Sequence, residues 1–138
     1  MSAEETNKKT VREFTRIFKN EHNVHGVAHL FAKNFRHHFK MPLPDGLAGF
    51  QAIGSVMNGA FPDVEVSEKD LIAAGDRVIE RSEVVGTHRG DFMGIPATNR
   101  RVSWSEIHIY RLEDGKIAEH WVELSMLELM QQLGAAHA

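Results

Sequence analysis

Hydrophobic and polar positions change period several times along this chain, and each change marks an element. Over residues 4–19, Val11, Phe14, Ile17 and Phe18 recur at helical spacing with Lys8, Lys9, Arg12 and Arg16 opposite, which predicts an amphipathic helix packed by one face. Asn23 can cap a second, short helix in which Val24, Val27, Ala28 and Phe31 keep the helical spacing, ending near Asn34. Residues 35–41 alternate and then stop at Pro42 and Pro44, which predicts a short strand near an edge or rim with His37 and His38 on opposite faces. Leu47, Phe50, Ile53, Gly54 and Met57 mark a further helix over residues 47–58.

After the turn at Phe61-Pro62-Asp63 the period becomes two, giving strands at 64–66 continued by 71–74, at 77–85, at 101–112 and at 116–124. The last two meet at Asp114-Gly115, a strong hairpin signal when flanked by alternating apolar residues. In the strand 77–85, Ile79, Arg81, Glu83 and Val85 share one face and Val78, Glu80, Ser82 and Val84 the other, so both faces carry charge, a pattern suited to a sheet over a wet cavity. The glycine-rich loop 86–99 holds Phe92, Met93 and Ile95 and reads as a lid or rim; a helix over 124–133, stopped by Gly134, closes the pattern. Helices first and strands later, without βαβ alternation, predict an α+β plan: one strongly curved, mainly antiparallel sheet with helices covering its concave side.

Composition narrows the function. With 138 residues, 42% hydrophobic and 25% charged, the chain is expected to form a single domain over 1–138. A net charge of −3 with acids and bases interspersed gives no basis for nucleic acid or an anionic membrane as partner. The absence of cysteine removes disulfides and thiolate chemistry. No apolar run approaches the roughly 20 residues of a membrane span, and residues 1–10 lack the apolar core of a secretion signal, so a cytoplasmic location is the expectation. Nine histidines are many for this length, and histidine is the side chain that titrates near neutral pH.

Candidate chemistry concentrates in the hairpin, which holds Glu106, His108, Tyr110, Glu119, His120, Trp121 and Glu123. Asp114-Gly115-Lys116-Ile117-Ala118-Glu119-His120-Trp121, the following helix ending Gln131-Gln132-Leu133-Gly134, and the segments Gly86-Thr87-His88-Arg89-Gly90 and Gly94-Ile95-Pro96-Ala97-Thr98 together resemble the SnoaL-like polyketide cyclase group of the nuclear transport factor 2-like superfamily. The resemblance spans nearly the whole chain. It implies a cone-shaped α+β barrel whose concave pocket binds a small hydrophobic molecule, and a homodimer. It also implies ring closure by an intramolecular aldol reaction with an aspartate base, a nearby histidine and no metal or organic cofactor. The family's histidine falls on His108 and its aspartate position on Val122, which cannot accept a proton.

What replaces that base depends on hairpin register. If Asp114-Gly115 alone forms the turn, His108 pairs with Trp121; if the turn has three residues with Gly115 in a bulge, His108 lies beside His120, with Glu106 and Val122 next along. The bulged turn is preferred because it puts the family's two positions on one face. The expected site is then His108 and His120 as an acid/base or hydrogen-bonding pair, Glu106 as orienter or alternative base, and Trp104 and Val122 as wall. Phe35-x-x-His38 resembles an aromatic-x-x-His element of the group and adds His38; Arg81 and His88 are expected at the pocket mouth. The plainer reading makes the histidines hydrogen-bonded wall, the glutamates solvated or paired with arginines, and Trp121 core or dimer interface. No close-spaced ligand motif such as HExxH suggests zinc. Ile107, Ile109 and Trp121, facing away from the pocket, form an apolar surface for a second copy. Two functions remain: a cofactor-free cyclase or isomerase, or a non-catalytic binder of a small hydrophobic ligand.

Overall fold

The computed structural model describes residues 1–39 and 43–135. Helix α1 (Ala3–Phe14) opens on a capping box: the Ser2 hydroxyl accepts from the Glu5 N–H at 3.1 Å while the Glu5 carboxylate accepts from the Ser2 N–H at 3.3 Å. It buries Val11 and Phe14 and then widens into a π-helical stretch, Thr15–Asn20, in which the Glu21 N–H reaches back five residues to the Arg16 carbonyl at 2.8 Å. Within this wider turn Thr15 is buried and the Lys19 side chain is only 12% exposed.

The expected second helix does not form. Residues 24–27 make a turn, Ala28–Leu30 a single 3-10 turn, and Phe31 already begins strand β1 (Phe31–His38). A short helix gains little alone, whereas the extended segment buries the rings of Phe31 and Phe35 and pairs in parallel with the last strand of the chain. The predicted continuation of this strand over Lys40 and Met41 to Pro42 lies outside the described residues.

Helix α2 (Gly46–Ala60) buries Phe50 and approaches the π-helical turn so closely at Gly54 that a Cβ there would lie 2.5 Å from Phe18 Cζ. Strands β2 (Glu65–Ala74), β3 (Arg77–Thr87), β4 (Arg101–Glu113) and β5 (Lys116–Leu124) follow, and helix α3 (Met126–Gln132) ends just before Gly134, whose φ is +76°. The two predicted pieces of β2 are one strand, with an irregularity between Glu68 and Asp70. The sheet order is β1-β5-β4-β3-β2, with β1 parallel to β5 and every other pair antiparallel, so β1 and β2 are the edges and the sheet stays open as a curved cone.

Alternate residues of β3 and β4 are buried: Val78, Glu80, Ser82 and Val84 on β3, and Val102, Trp104, His108, Tyr110 and Leu112 on β4. They face two apolar clusters. One gathers Phe14, Phe18, Phe31, Phe35, Phe50 and Tyr110; the other gathers Phe61, Phe92, Trp104, Leu129 and Leu133. Phe50 packs on Phe18 with centroids 5.2 Å apart and on His120 at 4.9 Å, and so ties the first cluster to the strand that carries the site.

Candidate active site

The hairpin places the site, by a route that differs in one respect from expectation. Asp114 and Gly115 alone form the turn, with φ of 50° and 74°, and Glu113 pairs with Lys116. Gly115 is therefore not the bulge. The extra residue comes further along: Leu112 pairs with Ile117 but Arg111 with Glu119, leaving Ala118 unpaired, with Ile117 and Ala118 buried in succession. Because a slip of one residue exchanges the faces of a strand, this bulge turns His120, Val122 and Leu124 inward. His108 then lies opposite Val122 and Tyr110 opposite His120, and the two imidazoles meet on the diagonal, His108 Nδ1 to His120 Nε2 at 2.8 Å.

These side chains form the polar floor of a cavity of about 210 Å³ between the two apolar clusters. Its wall is otherwise nearly all apolar, including Phe18, Phe50, Met57, Trp104, Val122 and Leu129. On the floor Glu106 Oε1 is 2.7 Å from His108 Nε2, and Glu106 Oε2 accepts from the Trp104 indole N–H at 2.7 Å. Burial pushes the Glu106 pKa up, but the His108 hydrogen bond, the charges of His108 and Lys19 and the Trp104 N–H outweigh it and hold the carboxyl at about 2. Burial, then the Lys19 charge, lowers His108 against the opposing pull of Glu106, and burial with the neighbouring cationic groups lowers His120 much further.

Protonation follows from these contacts. An ionised carboxylate only accepts, so His108 Nε2 carries the proton it gives to Glu106, and Nδ1 is left as an acceptor. That acceptor faces His120 Nε2, which therefore carries a proton too. His120 Nδ1 is left as a lone pair with no partner among the described residues. The result is a directed chain, His120 to His108 to Glu106, ending in one free basic nitrogen.

Two residues escaped sequence reasoning, Lys19 in the cavity wall and Glu80 behind it. Lys19 Nζ lies 3.2 Å from His108 Nε2 and 3.4 Å from Glu80 Oε1, and the nearly fully buried Glu80 accepts from the Thr15 hydroxyl at 2.9 Å. Glu80 left a signal, as an acid on a face shared with Val78, Ser82 and Val84; Lys19 left none, because its inward position depends on the π-helical turn. Beneath them Tyr110 is fully buried, and burial together with Glu80 and Glu106 raises its pKa well above the ordinary phenol value.

Glu106, His108, His120, Trp104 and Val122 all line the cavity. His38, Arg81 and His88 do not. His38 points to the outer face, bonded to Glu119 at 2.6 Å and stacked on Trp121 at 4.9 Å; the inward neighbour is His37, because β1 alternates so that Phe35, His37 and Phe39 share the inner side. Arg81 pairs with Asp70 at 2.6 Å on the exposed face of β3, as its alternation with the buried Glu80 and Ser82 requires. His88 is neither exposed nor at the mouth: it is fully buried against Phe61, with Nδ1 held by Thr98, so it braces the loop instead. In that loop Phe92 is buried and Met93 exposed, and both reach the cavity as a rim. Trp121 lies on the outer face under Arg77, whose guanidinium is 4.9 Å from its ring, and Ile107 is 47% exposed on the same side. Among the described residues no group of three or more His, Asp or Glu is arranged to hold a metal ion, and no helix is long and apolar enough to cross a membrane.

Comparison with known proteins agrees with this geometry. Residues 9–133 match the family model of SnoaL-like polyketide cyclase. Aklanonic acid methyl ester cyclase DnrD of Streptomyces peucetius is 33% identical over 90 residues, covering 64% of this chain and 62% of that protein. Nogalonic acid methyl ester cyclase of Streptomyces nogalater is 30% identical over 84 residues, covering 61% and 63%. The chain thus matches less than two thirds of the length of these cyclases. Among solved structures, AclR of Streptomyces galilaeus, a candidate hydroxylase, superposes with a TM-score of 0.88 at 28% identity over 99% of this chain and 89% of that one.

Proposed function

The chain belongs to the SnoaL-like polyketide cyclase family, and from that membership we propose that it is a cofactor-free acid/base catalyst closing a ring in a small hydrophobic carbonyl compound by an intramolecular aldol step. The observation that carries this reading is the chain from His120 through His108 to Glu106, set in an apolar cavity with one basic nitrogen free. Relatives whose names are those of methyl ester cyclases support a polyketide ester as the substrate class.

In this reading His120 Nδ1 removes a proton lying between two carbonyls, and its Nε2 proton moves to His108, which sets the positive charge beside Glu106. The enolate carbon attacks a second carbonyl carbon of the same molecule. One C–C bond forms, and the new alkoxide takes the proton back from the pair, so no electron acceptor is needed. Glu106, held at about 2, is too weak a base to take the proton and acts as orienter. Because burial lowers both histidines below their ordinary 6.5, the resting pair is neutral and ready to accept at neutral pH. Outside the cavity, Ile107, Ile109 and Trp121 support a homodimer as part of the same reading, checked by sedimentation equilibrium.

The test is turnover of aromatic polyketide β-keto methyl esters by the wild type, His108→Gln, His120→Gln and Val122→Asp. Each histidine variant is expected to lose about 10²–10⁴ in kcat/KM while keeping its fold, and wild-type activity is expected to persist at pH 6 and fall only in more acid solution. A second reading, binding without turnover, is favoured by Val122, which stands opposite His108 where a carboxylate base would complete the site. Ligand-induced stabilisation with no product at any pH, from the wild type or from Val122→Asp, would establish that reading instead.

A further inference from the structure

Lys19 is the one cation in the cavity wall among the described residues, and its surroundings leave it short of acceptors. Taking an ammonium out of water is costly unless acceptors replace its hydration. Glu80 supplies one, through a long contact of 3.4 Å on a carboxylate that Thr15 already engages at 2.9 Å. The other neighbour, His108 Nε2 at 3.2 Å, gives its own proton to Glu106, so two donors face each other there and no bond forms. Of the three N–H groups of Lys19, the described residues satisfy one. The side chain is nevertheless held inside, by a π-helical turn of the kind that recurs at functional sites.

We propose that Lys19 Nζ is the oxyanion-holding group of this site, binding a carbonyl oxygen of the ligand and stabilising the negative charge that grows on it when the neighbouring carbon loses its proton. This rests on the reading of the histidine pair as the base. His120 and Lys19 both contact His108, at 2.8 and 3.2 Å, and both line the cavity, so base and ammonium flank one imidazole on the wall of one ligand-sized space. Charge balance asks for such a group. The carboxylates of Glu80 and Glu106 favour an imidazolium on the pair but oppose an enolate above it, and a fixed ammonium where the enolate oxygen sits offsets that opposition.

The test uses naphthols graded in acidity by halogen and nitro substituents, bound to the full chain and read by the ultraviolet band of the naphtholate, with the matching methyl ethers as non-ionisable controls. In Lys19→Met the ratio of ionised to neutral bound naphthol is expected to fall by about tenfold or more, while Lys19→Arg keeps most of it and the methyl ethers bind all three proteins alike. Equal ionisation in wild type and Lys19→Met across the series overturns the proposal. If Lys19→Met does not fold, the wild type decides alone: equal affinity for a naphtholate and its methyl ether overturns the proposal just as well. Naphthol binding needs no turnover, so a preference lost in Lys19→Met beside a wild type that closes no ring supports the Lys19 assignment and counts against the base reading.

Discussion

Glu106→Gln keeps the length of the side chain and removes one negative charge from the cavity floor. In the wild type the two carboxylate oxygens serve two buried donors, Oε1 the His108 Nε2–H and Oε2 the Trp104 indole N–H, each at 2.7 Å. An amide offers one oxygen and one NH2, so one donor is left unpaired, at a cost of about 1–3 kcal/mol. The pH dependence is the sharper signature. Glu106 is held at about 2 in the folded chain against an ordinary 4.5. At about 1.4 kcal/mol for each tenfold change in proton affinity, this makes a contribution on the order of 3 kcal/mol. A depressed carboxyl stabilises above its unfolded pKa, so the contribution is complete above pH 4.5 and is lost as pH falls toward about 2. His108 and His120, also depressed, contribute fully above their ordinary 6.5 and begin to lose their share as pH drops below it. Wild-type stability should therefore fall in two stages, and Glu106→Gln should keep the first stage and lack the second. Urea unfolding followed by tryptophan fluorescence at a series of pH values measures this, since Trp104 touches the altered residue. The difference between the two proteins should be on the order of 3 kcal/mol near neutrality and shrink toward acid. A constant difference down to pH 2 would show that the carboxyl is not held down by its partners, and the directed proton chain would fall with it.

Other perturbations separate packing from chemistry. Gly54→Ala pushes a methyl into Phe18 Cζ at 2.5 Å and Val24 Cγ1 at 2.9 Å, and is expected to cost about 1–3 kcal/mol by thermal or chemical denaturation. Deleting Ala118 joins Ile117 directly to Glu119 and keeps their pairing with Leu112 and Arg111, so His120 should stay opposite Tyr110 and a folded deletion variant should still bind a cavity ligand; loss of binding in a folded variant would show that the register is not set as these pairs imply. His38→Ala breaks only an outer-face contact with Glu119 and Trp121, and is expected to change stability by less than about 1 kcal/mol and leave turnover unchanged, as parallel kinetic and melting measurements would show.

Much of this fold is legible in the chain because period is a local property. The apolar stripe of Val11, Phe14 and Phe18, the helix around Phe50, the hairpin at Asp114-Gly115 and the terminal helix before Gly134 can each be read within one window of residues, and each is present. Glu106, His108 and His120 were legible as candidates because three titratable groups on one hairpin exceed what a strand needs for packing. The helix expected after Asn23 was misread because Phe31 keeps helical spacing with Val24 and Val27 but gains more by pairing with a strand more than eighty residues away. His38, Arg81 and His88 were misplaced for a related reason: each is assigned to a face or a depth that neighbouring elements settle.

By itself, then, the sequence determined the order of most elements, the α+β class, the place of the last hairpin turn at Asp114-Gly115 and the set of side chains available for chemistry, since these follow from periodicity, turn stereochemistry and composition, while the length of that turn was settled by the fold. Tertiary structure decided which of those side chains meet. An unpaired alanine in β5 turned His120 toward His108, a wider helical turn carried Lys19 inside, and burial in a nearly apolar cavity kept the imidazoles neutral while their hydrogen bonds kept Glu106 ionised. A one-residue slip, a change of helical pitch and the loss of solvent are settled by packing between distant segments, and no local pattern of apolar and polar residues encodes them.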